Sequence, residues 1–331
     1  MLRVCALVLA LAVFGRGHTL ADEARIPIFQ STTITQAGYF ILTRDIAIAG
    51  GNGITIQASN VILDLNGRKI SGSTASGNLI EIADGASDVV VRGGYLLGGL
   101  NAIHAQSTAG TRMTIERVEI ADPVNDGIEI AGALQVDVLS CKMRSSMSSP
   151  STLFAVIIQP MPGGSFTGRY VDNVIEGWGA GLALIGIDGG QVRRNVLRNA
   201  TKVGVSVTGA GNLVEGNECA ASNDGIAMNG SGNQVIRNLV TGTLSHAILI
   251  SSSDTRVAEN IISGCSGYAI FAQGPRMLLE DNLVQGTAGS PGCGIYFPLD
   301  SSSAYRDNML RGNAGGGVCG PANTDAGGNI L

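Results

Sequence analysis

A four-residue phrase recurs at an almost fixed spacing in the middle of the chain. Each copy begins with valine and ends with asparagine, and the asparagines stand 22, 21 and 22 residues apart. The four copies end at Asn195, Asn217, Asn238 and Asn260. Self-similarity at a fixed period of this length is the signature of a repeat protein, in which each unit packs on the previous one. Any fold for this chain must therefore be a stack of similar units.

A second phrase extends the repeat over most of the chain. It consists of a small or apolar residue and then an apolar–any–apolar triplet, which is typical of a short strand with one buried face. Eleven such units occur, and from Ile54 to Ile295 their spacing ranges from 21 to 28 residues. The units open at Gly53, Leu79, Ala102, Gly127, Ala155, Gly181, Gly204, Gly225, Ala247, Ala269 and Gly294.

Composition and spacing together favour one fold class. The chain has 48 Gly and only 14% charged residues, which suits many short strands joined by tight turns. Each unit has room for three short strands but not for the long crossover that parallel strands otherwise need. We therefore predict an all-β, parallel β-helix over residues 51–331, with about eleven coils and a period of about 22 residues. Its inward Ile, Val and Leu side chains would stack into one core.

The asparagine position predicts a turn with a structural role. Asn173, Asn282 and Asn308 extend the series to seven repeats. Asparagine tolerates left-handed backbone at a turn, and stacked amides can hydrogen-bond from coil to coil as a ladder. A leucine-rich repeat would place its apolar strand residues directly before the asparagine. Here six residues separate Val207 from Val214, so that alternative is the weaker interpretation.

The N-terminal segment has the pattern of an export signal. Arg3 supplies a positive charge, an apolar run follows, and small residues around Ala21 form a cleavage site. We predict a signal peptide over residues 1–21, an N-terminal cap over 22–50, and a secreted or periplasmic protein. The apolar run is too short to span a bilayer, and no later run is long enough.

The net charge and the cysteine content limit the kinds of ligand and partner to expect. A net charge of -5 gives no electrostatic reason to expect nucleic acid. The cysteines after the signal form no CxxC pair, so neither a metal cluster nor a cofactor is expected. A single Cys293–Cys319 disulfide and buried, unpaired thiols both remain open. These cysteines are Cys141, Cys219, Cys265, Cys293 and Cys319. The oligomeric state is not indicated.

Three segments resemble a known superfamily. Residues 34–45, 53–56 and 60–67 resemble right-handed, single-stranded parallel β-helix proteins of the pectate-lyase-like superfamily. They look most like the secreted, mostly uncharacterised members with NosD and carbohydrate-binding or sugar-hydrolase repeats. The resemblance covers roughly residues 30–331 and implies the fold. It does not imply one activity, because this fold hosts lyases, hydrolases, epimerases and adhesins.

The catalytic motifs of the better-known relatives do not transfer. Mannuronan epimerases carry Asp-Pro-His-Asp, whereas this chain has Asp122-Pro123-Val124-Asn125, without the histidine. Galacturonan hydrolases carry Asn-Thr-Asp and Gly-His-Gly, and this chain has no Gly-His-Gly. Its Asn125-Asp126-Gly127 is more typical of a turn that enters a strand.

The strand register places one polar cluster on the outside. The middle residue of each triplet points outward, because side chains alternate faces along a strand. Glu81, His104 and Glu129 are middle residues of three successive units and are the candidate catalytic residues. Adjacent strands lie about 4.8 Å apart, so His104 would stand between two carboxylates with a raised pKa. Candidate substrate-binding neighbours are Gln57, Gln106, Asp126 and Gln159.

Three function classes follow. The row can serve a polysaccharide lyase, epimerase or hydrolase, or a non-catalytic glycan-binding or surface protein; the third class is a NosD-like periplasmic accessory. The structural alternative is a solvated strand face on which a histidine pairs with acids. Outward Phe271 and Tyr296, and Trp178 at a turn, suit either sugar stacking or packing, and packing is favoured for the first two. Whether the protein is an enzyme stays open at this point.

Overall fold

The computed structural model describes residues 25–146, 153–289, 292–299, 302–321 and 323–331. The predicted signal peptide lies outside these residues. Within them the chain forms 35 β-strands, every assigned strand pair is parallel, and there is no helix long and apolar enough to cross a membrane. The strands form three faces of a parallel β-helix, which we call faces A, B and C in the order in which each repeat visits them.

Face A contains the strands that open each repeat. They are Thr32–Ile34, Ile54–Ile56, Ile80–Ile82, Phe154–Pro160, Ala180–Ile185, Val203–Thr208, Asp224–Asn229, Ile248–Ser251, Ile270–Ala272, Ile295–Tyr296 and Val318–Cys319. Two longer strands begin on this face and bend around its corner. Ile128–Leu139 continues onto face B, and Ile103–Ala121 continues across faces B and C.

Faces B and C follow in each coil. Face B contains Arg25–Ile28, Gly38–Leu42, Val61–Asp64, Val89–Leu97, Arg169–Val171, Gln191–Arg193, Leu213–Glu215, Gln234–Ile236, Arg256–Ala258, Leu278–Glu280, Ala304–Arg306 and Thr324–Asp325. Val89–Leu97 bends onto face C. Face C contains Ile46–Ile48, Lys69–Gly72, Lys142–Arg144, Val174–Glu176, Val196–Arg198, Glu218–Ala220, Leu239–Thr241, Ile261–Ser263, Leu283–Gln285 and Met309–Arg311.

The alternation of apolar residues produces this shape. The first and third residues of the triplets, such as Ile54 and Ile56, are buried, while the middle residue, such as Thr55, is usually partly exposed. Equivalent residues pair in register from coil to coil, as Ile80 does with Ile103. The buried side chains thereby form one continuous core along the helix axis, as the apolar pattern predicted.

The structure confirms the fold class and extends it at the N-terminal end. The helix has about 12 turns at intervals of about 23 residues. The predicted cap over residues 22–50 is not confirmed, because Arg25–Ile28, Thr32–Ile34 and Ile46–Ile48 already pair in parallel with the next strands of faces B, A and C. Their apolar residues alternate like those of later coils, so residues 25–48 form part of the stack.

The asparagine ladder is present and is buried. Asn195 donates from Nδ2 to Oδ1 of Asn217 at 2.8 Å, and that oxygen also accepts the backbone N–H of Asn195. The same pair of bonds repeats along Asn173, Asn195, Asn217, Asn238, Asn260, Asn282, Asn308 and Asn329. The expected left-handed backbone falls one residue earlier, for example at Arg194 with φ 53°. That residue makes the turn, and the asparagine after it points inward.

The cysteines and the charges beside the ladder are also defined. Cys293 and Cys319 form a disulfide between two neighbouring coils, whereas the three other cysteines of the described chain are buried free thiols. Arg194 pairs with Asp172 at 2.8 Å, and Arg237 pairs with Glu259 at 3.4 Å. These ion pairs join neighbouring coils on an exposed edge, where each contributes little to stability.

Candidate functional site

Face A carries its polar residues in three parallel rows over the first coils. The row nearest the entry to the strands comprises Asn52, Asn78, Asn101 and Asp126, and we call it the outer amide column. The central row comprises Thr55, Glu81, His104 and Glu129, which pair directly from strand to strand. The glutamine row, near the strand exits, includes Gln57, Gln106 and Gln159, all exposed.

His104 lies between the two glutamates of the central row. Its Nδ1 is 2.9 Å from Oε2 of Glu81, and its Nε2 is 3.9 Å from Oε2 of Glu129. Because a carboxylate only accepts hydrogen bonds, Nδ1 carries a proton and donates it to Glu81. The three side chains stay accessible, with exposed fractions of 20% for Glu81, 21% for His104 and 35% for Glu129. The predicted row is therefore one contiguous cluster.

The two carboxylates determine the charge of the imidazole. The hydrogen bond to Glu81 raises the pKa of His104, burial opposes this, and the charges of Glu81 and Glu129 raise the pKa further. The net direction is upward, as the sequence predicted. The imidazolium form therefore persists to a higher pH than in an unperturbed histidine, and the group is placed to give or accept a proton.

The outer amide column holds the glutamates in place. Asn78 donates from Nδ2 to Oε2 of Glu81, and Asn101 donates from Nδ2 to Oε2 of Glu129 at 3.1 Å. The side-chain oxygens of the column accept backbone N–H groups of the next coil, as Asn101 does from Asp126 at 2.9 Å. The sequence reasoning missed Asn78 and Asn101. The sequence pattern that could have identified them is an asparagine two residues before the first apolar residue of a triplet.

Asp126 replaces the asparagine of the column in the fourth coil. Its side chain is almost fully buried, with 6% exposed, and Oδ1 accepts the backbone N–H of Phe154 at 2.7 Å. Burial raises the pKa of Asp126 to about 6, the Phe154 bond lowers it, and Glu129 raises it. A carboxyl group that titrates near neutral pH beside a cluster of acids and a histidine is a common feature of functional sites.

The predicted substrate-binding residues do not form one group. Gln106 and Gln159 line a groove of about 580 Å³, which the segment Pro160–Gly163 borders on one side. Gln57 lies two coils from Gln106 on the same row, outside that groove. Asp126 lies at the opposite end of the strands, in the outer amide column. The single site predicted around the glutamates thus has two flanks, the outer amide column with Asp126 on one side and the glutamine row on the other.

A second groove lies on face C, away from this cluster. It has a volume of about 550 Å³ and is lined by Lys69, Tyr95, Glu119, Lys142 and Arg144 among others. Its charged side chains point outward and include the pair Lys142–Glu119 at 3.2 Å. We assign the candidate site to face A because there a histidine, two carboxylates and the amides that orient them converge. In the described chain no group of three or more His, Cys, Asp or Glu residues is placed to hold a metal ion.

The three aromatic residues noted in the sequence divide into one buried and two outward side chains. Trp178 is 1% exposed, and its ring packs beside the position of Gly127, so it belongs to the core. Phe271 and Tyr296 lie on face A, on neighbouring coils, and join His246 and Tyr268 in one cluster of half-buried rings. Tyr296 does not cover the last coil, since Val318–Cys319 pairs beyond it.

Comparison with known proteins agrees with the architecture. Residues 164–314 match the family model described as right handed beta helix region. The chain is a right-handed parallel β-helix. No curated protein sequence matches it.

Among solved structures, the chain is similar to the periplasmic alginate epimerase AlgG, with 12% identity, 84% of this chain and 76% of that chain covered, and a TM-score of 0.63. The Azotobacter vinelandii mannuronan C-5 epimerase AlgE6 A-module is 14% identical, with 89% and 90% covered and a TM-score of 0.63. The catalytic unit of a GH87 alpha-1,3-glucanase from Streptomyces thermodiastaticus is 14% identical, with 86% of this chain and 63% of that chain covered and a TM-score of 0.55. At these identities the similarity concerns the fold.

Proposed function

We propose that the protein binds a polysaccharide on face A and acts on it by acid–base chemistry at Glu81, His104 and Glu129. The reaction classes that the sequence predicted are lyase, epimerase and hydrolase. The observation that carries this proposal is the imidazole held between two accessible carboxylates, each of which also accepts an amide N–H. Export after cleavage near Ala21 belongs to the same proposal.

Each residue of the cluster has a distinct role in this scheme. Glu81 fixes the orientation and tautomer of His104 through the bond to Nδ1. The opposite nitrogen, Nε2, is the one that exchanges a proton with the substrate. Glu129 is the most exposed of the three and is placed to act as a base. Acid–base groups positioned in this way typically contribute about 10²–10⁴-fold to a reaction rate.

The activities of similar structures support a polysaccharide as the substrate. Two are described as alginate or mannuronan epimerases and one as an alpha-1,3-glucanase. All three are enzymes that act on polysaccharides with the same scaffold. Because a fold alone does not determine chemistry, the cluster on face A remains the basis of the proposal.

One observation favours a second candidate, a non-catalytic glycan-binding protein. Glu81 and Glu129 already accept hydrogen bonds from Asn78, Asn101 and His104, so the cluster is partly satisfied without substrate. Such a network can orient a ligand without transferring a proton. Binding without turnover would identify this candidate.

The test measures turnover on a panel of neutral and uronate polysaccharides, with reducing ends and unsaturated products as readouts. We expect turnover by the unmodified protein and a loss of about 100-fold or more in Glu129→Gln and His104→Gln. Glu218→Gln, which removes a carboxylate from face C, is the matched control and should keep full activity. Unchanged turnover in all three cluster variants, including Glu81→Gln, would refute the assignment.

A further inference from the structure

The charges of face A differ from those of the other two faces. Its strands contain Glu81, Glu129 and Asp224, together with His104. Within the described residues their face A segments contain no Lys or Arg, since Arg112 and Arg117 belong to the part of Ile103–Ala121 that continues onto faces B and C. The cation closest in sequence is Lys202, in the turn before Val203–Thr208. Faces B and C, by contrast, carry cations such as Arg169, Arg256, Lys142 and Arg144.

An anionic glycan has no partner on such a surface. A uronate chain brings a carboxylate with each sugar unit, and opposite charges are what normally hold it against a protein. The imidazole of His104 already faces two carboxylates. Asp84 adds a further acid at the edge of the face, where it accepts hydrogen bonds from Thr108. The potential around the cluster is therefore negative, which disfavours an anionic chain.

Beyond the acidic cluster, the two outward rows of face A continue as an uncharged track, with Asp224 at the entry edge of its strand. Its central row from the next coil onward is Ile157, Ala183, Ser206, Ala227 and Leu249. The neighbouring row is Gln159, Ile185, Thr208, Asn229 and Ser251. Small side chains in the middle leave a shallow depression of about 230 Å³ around Ser206, Ala227 and Asn229. Hydroxyl and amide groups there can hydrogen-bond a neutral sugar.

The track ends at the aromatic cluster. Tyr268 stacks on Tyr296 with ring centroids 4.3 Å apart, and His246 stacks on Phe271 at 5.1 Å. The backbone N–H of Tyr268 donates to Nδ1 of His246, and burial lowers the pKa of His246, so the cluster is uncharged at neutral pH. In the described chain the hydroxyls of Tyr268 and Tyr296 bond to no other residue. Rings with an apolar face and a polar rim suit the amphipathic faces of a pyranose.

The two clusters lie along one direction. Six strand steps separate Glu129 from Phe271 on face A, which corresponds to about 29 Å at about 4.8 Å per step. A chain of several sugar units is needed to cover that distance. A short oligosaccharide would reach only one of the clusters.

On this basis we propose that the ligand of face A is an uncharged polysaccharide, which runs along the helix axis from the Glu81–His104–Glu129 cluster to the rings of Phe271, Tyr296 and Tyr268. This inference rests on the proposed function and narrows its substrate class. It opposes a direct transfer of the alginate specificity of two similar structures.

An uncharged substrate also excludes two of the three reaction classes. Lyases and epimerases of uronate chains abstract a proton next to the sugar carboxylate, and a neutral chain has no such carboxylate. Hydrolysis remains: the glycosidic C–O bond breaks, the leaving oxygen receives a proton from an acid, and a water oxygen bonds to the anomeric carbon while its proton passes to a base. Water is the only co-reactant.

The experiment uses the full mature chain and measures binding of length-matched neutral glucans and mannans, alginate and polygalacturonate at low and high salt. The binding assays use the Glu129→Gln variant to prevent turnover. We expect long neutral chains to bind at least about tenfold more tightly than uronate chains at low salt, with a smaller difference at high salt. Tighter binding of a uronate chain would overturn the substrate class.

The aromatic end is tested by Phe271→Ala combined with Tyr296→Ala. We expect about tenfold weaker binding of long neutral chains and an unchanged affinity for short oligosaccharides that reach only the acidic cluster. Tyr95→Ala, which removes an exposed ring from face C, is the matched control, and circular dichroism checks the fold of each variant. Equal loss for short and long chains, or no loss, would overturn this end of the proposal.

The outcomes separate the two proposals. If the protein turns over uronate chains, or if the aromatic substitutions leave long-chain binding unchanged, this inference fails while the proposed function stands. If no polysaccharide of the panel is bound or turned over, both fail.

Discussion

The molecule uses asparagine in two columns that differ in what the amide donates to. In the buried ladder, Nδ2 of Asn217 donates to Oδ1 of Asn238 and to the carbonyl of Val192. In the outer amide column, Asn101 likewise accepts a backbone N–H of the next coil, but its Nδ2 donates to Glu129. In the buried ladder the amides bond to one another and to the backbone. In the outer amide column they donate to the carboxylates of the exposed face.

This difference separates scaffold from site. A buried amide whose groups are all paired within the protein contributes to stability and has nothing left for a ligand. An amide that fixes a charged side chain on an open face pre-organises that side chain instead. The more regular column is therefore structural, and the interrupted one, where Asp126 replaces an asparagine, borders the candidate site.

The largest effect is expected from the buried ladder. Asn217→Ala removes bonds to Asn195, Asn238 and the carbonyl of Val192, and leaves buried polar groups without partners. We expect a loss of roughly 3 kcal/mol or more in the free energy of unfolding, measured by urea denaturation. Asn229→Ala, an exposed asparagine of face A, should change it by less than about 0.5 kcal/mol. Similar losses in both variants would contradict a special role for the ladder.

Asp126→Asn should have an effect of opposite sign. Because burial raises the folded-state pKa of Asp126 from 3.8 to about 6, its stabilising contribution is full below pH 3.8 and is lost as the pH rises to about 6. The substitution restores the column and removes this titration, so it should stabilise the protein by about 3 kcal/mol at pH 7 and by nearly nothing at pH 3.

Urea denaturation at the two pH values checks this expectation, and the converse variant Asn101→Asp should destabilise the protein at pH 7. If Asp126 belongs to the site, Asp126→Asn lowers turnover while it raises stability, the usual trade-off at functional positions. A pH-independent effect on stability would show that the carboxyl group is not the cause.

Asn101→Ala, in the outer amide column, should lower the free energy of unfolding by an intermediate amount. It removes the acceptor of the Asp126 N–H and the donor to Glu129, at a cost of about 1–2 kcal/mol in unfolding free energy. Its effect on turnover should exceed its effect on stability, because Glu129 loses its orientation. Thermal unfolding and steady-state kinetics of the same preparation measure both, and a kinetic effect no larger than that of Glu218→Gln would argue against a positioning role.

The smallest change in stability is expected from His104→Gln. The folded-state pKa of His104 is raised above 6.5, so its contribution is present below pH 6.5 and is lost as the pH rises through the folded pKa. The difference in melting temperature between the unmodified protein and the variant should therefore be larger at pH 6 than at pH 9. A difference that grows with pH would contradict the arrangement of charges around the imidazole.

The repeat made much of this architecture predictable. The triplets determine which residues face outward, so the neighbours Glu81, His104 and Glu129 followed from counting along the strands. The asparagine ladder followed in the same way. The outer column was missed because Asn78 and Asn101 lie before the triplets, where a single asparagine is also a common turn residue.

The burial of side chains in turns was harder to predict from the sequence. Whether Trp178 points inward, or Asp126 is buried, depends on how the turn between faces C and A packs against its neighbours, and these turns vary in length from coil to coil. The disulfide between Cys293 and Cys319 required knowledge of which residues of successive coils lie opposite each other. Strand periodicity does not supply that for residues in turns.

The Cys293–Cys319 disulfide bears on how the molecule comes apart. Each coil of a stacked protein contacts only its neighbours, so unfolding proceeds most easily by fraying from an end. A cross-link that closes 26 residues near the C-terminal end contributes about 3.5 kcal/mol against that opening on loop-entropy grounds. Reduction removes this contribution and leaves the central coils unaffected. The disulfide thus acts as a staple on the terminal coils, and the resistance of that end to proteases depends on an oxidising environment.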